Sequence, residues 1–247
     1  MTVGSPIPKE SSVFYLPIDR RLALAEGREL PDWASGAALF ADISGFTALT
    51  EALAHEMGPQ QGADVLSRHL NAVYDALIAE AHRFGFSAIS FAGDGVTCWR
   101  YGDNGLTGVA CALAMQQAMA PLASMTLTSG QSMVLTLKVA VAAGAARRFI
   151  AGDAQTQVFD VLAGSLLDRL AVAERCAHPG EVVLDPATAA ALADYIELDR
   201  PAHADEMHPC AVVRTLRTAV TAIPWDDAAA AALDASQVRA WVLPAVH

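Results

Sequence analysis

Positive charge is scarce in this chain. Against 27 aspartates and glutamates stand 16 lysines and arginines, a formal balance of −11. A general nucleic-acid binder needs a basic face to displace the counterions of the phosphate backbone, so nucleic acid is not an expected partner. Nucleotides are a different matter, because metal ions and backbone amides hold their phosphates locally. Cysteine is sparse as well: Cys98, Cys111, Cys176 and Cys210 lie far apart and form no CxxC pair. That pattern points to reduced thiols in a cytoplasmic protein rather than a disulfide framework. No apolar run reaches the ~20 residues that cross a bilayer, and no membrane partner is expected. The opening MTVGSPIPKESS lacks the charged-then-apolar order of a secretory signal. The histidines are scattered without metal-ligand spacing, no G-x-S-x-G elbow occurs, and no internal repeat is visible.

What the chain does have is apolar substance. Hydrophobic residues make up 53% and charged residues 17% of its 247 positions, enough for a sizeable core. A Pro-rich arm over residues 1–36 leads into a short buried strand at Ala37 to Ala41. Helical spacing follows over Phe46 to Ala54 and Ala63 to Phe84, where Val65, Leu66, His69, Leu70, Val73, Leu77 and Ile78 recur at steps of three and four. FSAISFAGDGVTCWRY reads as a hairpin around Ala92-Gly93-Asp94-Gly95. A helix is expected over Asn104 to Leu122. Strands are expected over Val134 to Ala143 and Arg147 to Ala151, joined near Gly144, and over Gln157 to Leu162. Leu166 to Cys176 reads as a helix, PGEVVLD as a turn and strand, and Pro186 as the opening of a short helix. Hairpins alternating with helices favour an α+β sandwich, one mostly antiparallel sheet with helices packed on it. The domain is expected over residues 37–198. Residues 199–247 read as a linker and helical tail leading to a further domain in the natural chain. Arg147 and Arg148 read as a solvated hairpin tip.

The stretch LFADISGFTALTEAL ends an apolar strand on Asp42 and then enters a helix. Asp94 sits in the hairpin turn. If the two strands are neighbours, both carboxylates meet at one edge of the sheet. Two hard oxygen ligands with open positions suit Mg²⁺ or Mn²⁺, which complete their shells with water and substrate phosphates. Ser44-Gly45-Phe46-Thr47 opens a helix, so its backbone N–H groups are placed to receive phosphate, and glycine at 45 allows close approach. A plainer reading stands beside this one, with Asp42 as an early helix cap and Asp94 as an ordinary turn residue.

In combination, FADISGFTALTEAL and the later FAGDG resemble the class III nucleotidyl cyclase homology domain, the adenylyl/guanylyl cyclase catalytic fold, a ferredoxin-like sandwich. AGSLLDRLAVAERCAHPGEVVLD resembles the family's Gly-x-x-Val-Asn segment and its Pro-Gly strand. The likeness covers about residues 36–198 and is greatest to the first of two tandem domains in soluble-type adenylyl cyclases. It implies that Asp42 and Asp94 hold two ions, Mg²⁺ or Mn²⁺, with the main-chain carbonyl of Ile43 as a further ligand. It implies that the amides around Gly45, Phe46 and Thr47, beside Ser44, hold the β- and γ-phosphates. The implied reaction is attack of the ribose 3′-oxygen on the α-phosphate of a nucleoside triphosphate, ATP before GTP, giving a cyclic nucleotide and pyrophosphate. The family's site lies between two cyclase domains, so a second such domain, in cis or in trans, is the implied partner.

The resemblance is lopsided. Where a homodimeric cyclase has its base-reading lysine, four residues before the second metal aspartate, this chain has Ser90. The family's asparagine and arginine fall on Asp168 and Val172. Val172 cannot donate to charge developing on the α-phosphate, a contribution that is often the largest in catalysis. Arg169, one position on from Asp168, points about 100° away on a helix. The lysine and arginine of the bicarbonate pocket in soluble-type cyclases fall on Ser90 and Ala171, which argues against bicarbonate activation. Two expectations follow. One is a metal-bearing half of a catalytic pair, inactive or weak alone. The other is a degenerate, non-catalytic cyclase fold for nucleotide binding or domain pairing and regulation.

Overall fold

The computed structural model describes residues 16–202, 210–226, 233 and 238–241. At its centre is β1 (Trp33–Ser44), flanked by antiparallel β3 (Gly95–Tyr101) and β6 (Thr136–Asp153). Beyond β3 lies its hairpin partner β2 (Ser87–Ala92) at one edge. Beyond β6 come β8 (Val182–Leu184), β10 (Cys210–Leu216) and β9 (Ile196–Ala202), with only the β6–β8 pairing parallel. The far half of β6 pairs instead with β7 (Gln157–Ala163), and β4 (Ser124–Thr126) and β5 (Ser132–Val134) form a small separate ribbon. The fold is therefore the expected α+β sandwich with a mostly antiparallel sheet.

Strand alternation divides the core into two layers. Ala37, Leu39, Ala41 and Ile43 of β1 face α2 (Phe46–Met57), α3 (Pro59–Arg83) and α4 (Leu106–Met119), and pack with Leu49, Leu53, Val73, Leu77 and Met115. Each fully buried leucine there contributes about 1.5–3 kcal/mol. Ala38 and Phe40 face the other way, toward α5 (Ser165–Cys176). The small Ala38, Ala140 and Ala142 let Leu166, Leu170 and Ala173 of that helix sit directly on the strands. Asp42 continues the Ala38–Phe40 row, so its side chain emerges on the α5 side at the end of the strand.

Several element-level expectations needed revision. The two strands expected to join near Gly144 are one: β6 runs through it, in unbroken register with β1 from Trp33↔Arg147 to Ser44↔Thr136. The glycine provides space rather than a turn, since a Cβ there would lie 2.6 Å from the Arg169 guanidinium. Within the stretch expected as linker, residues 199–202 complete β9 and residues 210–216 form β10 of the main sheet, and β10 lies against α4 and β8, a tertiary demand that its mixed composition hides. The helical expectation for the tail falls largely outside the described residues. The arm contains α1 (Ile18–Ala25) and the start of β1.

Arg148 is not a solvated tip either. It is buried, with Asp19, Arg20 and Asp160, in a four-residue ionic cluster joining α1, β6 and β7. Arg20 forks onto Asp160 at 2.7 and 3.1 Å, and Arg148 donates to Asp160 at 3.1 Å and to both oxygens of Asp19. Burial alone would raise the Asp160 carboxyl, but hydrogen bonds and charge from Arg20 and Arg148 outweigh it and hold the group below its ordinary value. Arg147, by contrast, is solvent-facing and pairs with Asp32.

Candidate active site

Register decides which side chains meet. Asp42 lies opposite Gly95 on β3 and opposite Lys138 on β6. The β2–β3 hairpin closes over Gly93 and Asp94, with Gly93 at φ 63°, the positive angle that a two-residue turn requires at its first position. The Ile43 N–H donates to the Asp94 carbonyl at 3.2 Å, stitching the turn to the end of β1. Asp42 and Asp94 are thus brought to the same rim of one sheet, near enough that the charge of Asp94 raises the Asp42 carboxyl. The phenol of Tyr74, on α3, is raised by burial and by both aspartates, so it borders the same negative field. Its ring stacks edge-on against the exposed Phe91, 5.7 Å away.

Sequence reasoning missed the counter-cation. Lys138, one of only two lysines in the chain, places Nζ 3.2 Å from Asp42 and 2.6 Å from Glu174 of α5. A lone ammonium in the apolar run TLKVAVAA was the available signal. Burial is the largest influence on Asp42 and raises it; the Lys138 hydrogen bond and charge oppose, and Asp94 and Glu174 add to the rise. For Lys138 burial works downward, but bonds to Glu174 and Asp42 prevail and raise it. The two partners disagree on the worth of their pairing: Lys138 is favoured as a cation while Asp42 is disfavoured as an anion. The geometry accounts for this, because Lys138 is shared and lies closer to Glu174. The rim carries three carboxylates against one ammonium, and that surplus fits an added cation.

The donor set fits a hard divalent ion: two carboxylates, with the Ile43 side chain buried in the core so that only its main chain can face the rim. Among the described residues no group of three or more His, Cys, Asp or Glu could hold a metal unaided. Further oxygens must then come from water or a ligand. The reading of Asp42 as a helix cap loses support, since α2 has no side-chain cap and Asp42 turns to Lys138 instead.

Gly45 starts α2 at φ 97°, and the Leu49 N–H is the one that returns to its carbonyl, at 3.2 Å. The amides of Phe46 and Thr47 precede that first helical bond, as orphan donors do at any helix start. Ser44 is half-buried at the end of β1, and Thr47 is exposed. A Cβ at position 45 would lie 2.6 Å from the Val134 carbonyl. Gly45→Ala is expected to cost about 2 kcal/mol or more through the left-handed angle and this contact, read as a lowered denaturation midpoint.

The complementary positions are less equipped. Ser90 and Asp168 are exposed, and Val172 packs against the α5-side core. Arg169 is held elsewhere: its guanidinium donates to Asp185 at 2.7 Å and to the Ala143 carbonyl at 2.6 Å. It buttresses α5 on the sheet and is not available to replace an arginine at Val172.

The chain is similar in sequence and in fold to known nucleotidyl cyclases. The chain is 29% identical over 161 residues to adenylate cyclase type 10 of Oryctolagus cuniculus, and 28% identical over 165 residues to that of Homo sapiens. These alignments cover 63% and 64% of the chain but only 10% of either relative, so the chain spans about a tenth of their length. No family model matches. Among solved structures, the adenylyl cyclase CyaB from P. aeruginosa superposes with a TM-score of 0.61 at 20% identity, covering 75% of this chain and 96% of that one. The guanylyl cyclase Cya2 gives 0.57 at 18% identity, covering 75% and 92%. No helix among the described residues is long and apolar enough to cross a membrane.

Proposed function

We propose that this chain, a class III cyclase domain by sequence similarity and fold, supplies the two-metal half of a composite active site. That site converts ATP, in preference to GTP, into a cyclic nucleotide and pyrophosphate. The observation that carries the reading is the convergence of Asp42 and Asp94 at one sheet rim, with surplus negative charge around a single ammonium. Mg²⁺ or Mn²⁺, two per composite site, would be held by both aspartates and the Ile43 carbonyl. When bound, the ions supply activation of the attacking oxygen and neutralisation of the leaving pyrophosphate. The chain's own part is to position. Gly45, Phe46 and Thr47 offer backbone donors at a helix start, with the Ser44 hydroxyl beside them. Lys138 holds its ammonium between Asp42 and Glu174 at the rim. The ATP preference rests on the name of the similar adenylate cyclases; Ser90 itself both donates and accepts, and selects no base.

The base-reading and α-phosphate donors come, in this reading, from a second cyclase domain. A second function has a specific observation in its favour. The sequestration of Arg169 and the apolar Val172 suit a non-catalytic module that binds nucleotide or pairs with a catalytic domain. One experiment separates the two. Purified residues 1–247 with Mn²⁺ and ATP should make cyclic nucleotide at or near background. Adding a cyclase domain that has lost its own metal aspartates but keeps its base-reading lysine and its arginine should restore turnover. Robust activity of the chain alone sinks the half-site reading. Metal-dependent nucleotide binding without restored turnover selects the regulatory module.

A further inference from the structure

Cys176 is the last residue of α5 and Cys210 the first of β10. They are 34 positions apart in sequence, yet their sulfurs lie 3.0 Å from each other, inside ordinary sulfur contact distance. Both are free thiols and both are buried, at 2% and 0% exposure, in the core layer between α5 and the sheet. The other two cysteines belong to the opposite layer. A disulfide needs sulfurs about 2.05 Å apart, so closing the bond requires the two sulfurs to approach by about 1 Å.

We propose that Cys176 and Cys210 form a reversible dithiol–disulfide couple that fastens α5 to β10, with a small-molecule disulfide of the glutathione class as oxidant. One protein thiolate attacks the small disulfide, forming a mixed disulfide and releasing one thiol. The second protein sulfur, also as thiolate, attacks the mixed disulfide and releases the other. Two protein thiols are oxidised, one small disulfide is reduced to two thiols, and the two protons end on the released thiols.

Burial governs the rate. It pushes the Cys210 thiol up to about 12, so attack from the closed structure is slow. Access comes through local opening of the β9–β10 pair, a sheet edge whose register shifts twice along its length. Once formed, the bond meets reductant only through the same local opening. The locked turn of α5 also carries Glu174, two residues earlier, so the fastening holds the acid that faces Lys138.

The test uses the full 247-residue chain, incubated with excess oxidised glutathione, alkylated, and digested without reduction. Mass spectrometry is expected to find a Cys176–Cys210 cross-linked peptide while Cys98 and Cys111 remain alkylated. The oxidised protein should melt about 5–10 °C higher, and dithiothreitol should reverse the shift. Cys176→Ser and Cys210→Ser should each abolish the link; the wild-type peptide map decides the question even if either variant folds poorly. Glutathione adducts on single cysteines without the cross-link overturn the proposal. So does random linkage among all four cysteines.

Discussion

Asp42→Asn should reduce Mg²⁺- or Mn²⁺-dependent binding of an ATP analogue by about 100-fold or more and leave the folded state no less stable. The magnitude follows from a lower bound. Partners one shell removed from a metal are typically worth about 10–100-fold in affinity, and Asp42 is a direct ligand in this reading. The stability half follows from the charges. The Asp42 carboxyl is raised by burial and by Asp94 and Glu174, so the rim is strained by like charge even with Lys138 present. Asparagine removes that repulsion, keeps the shape, and leaves Lys138 with Glu174 at 2.6 Å. A residue that costs stability and gains ligand affinity is what a binding site predicts. Calorimetric titration with metal and analogue, beside a thermal melt, reads both quantities. Equal binding by the two proteins would remove the aspartate from the metal site, and a large loss of stability would mark it as a structural ion-pair member.

The second large effect lies at the other end of the same face. Asp160→Asn or Arg148→Met breaks the buried cluster on one side only and strands its partners. Removing one member of a buried pair typically costs about 3–5 kcal/mol, because an uncompensated charge is left in low dielectric. For a domain of this size that lowers the melting temperature by about 6–20 °C. The neighbouring Arg147→Met, at an exposed pair with Asp32, should change stability by about 0.5 kcal/mol or less. The cluster also sets an acid limit. The Asp160 carboxyl sits below its ordinary value when folded, so its contribution is fully present above the usual carboxylate range. It is lost as pH falls through the lowered value. Wild type should therefore lose stability in strong acid more steeply than Asp160→Asn. Parallel pH profiles of the two proteins would remove the cluster as a source of acid sensitivity.

What could be read in advance, and what could not, divides along physical lines. The strand before Asp42, the Gly-Asp turn and the helices after Phe46 follow local rules of periodicity and turn chemistry, and the sequence displays them openly. Asp42 and Asp94 were legible as a pair because turn and strand end both mark the edge of a sheet. Lys138, Glu174 and Tyr74 were not, since their meeting depends on register between strands far apart in the chain. Gly144 misled for a related reason: glycine ordinarily punctuates, but here it makes room for Arg169, a side chain that arrives from another element. Arg148 was misjudged, and the neighbour of Cys176, a free thiol as expected, could not be foreseen. Their neighbours, Asp19, Asp160 and Cys210, are supplied by α1, β7 and β10, which no local pattern connects.

The uninterrupted length of β6 has a mechanical consequence. Lys138 and Arg148 stand ten positions apart on one strand and one face, about 33 Å end to end. A slip of a single residue along β1 would turn every side chain of that strand over. It would take the ammonium away from Asp42 and, in the same stroke, pull Arg148 out of its buried anions. The distant cluster thus works as a latch on alignment, fixing from far off which way the rim lysine points.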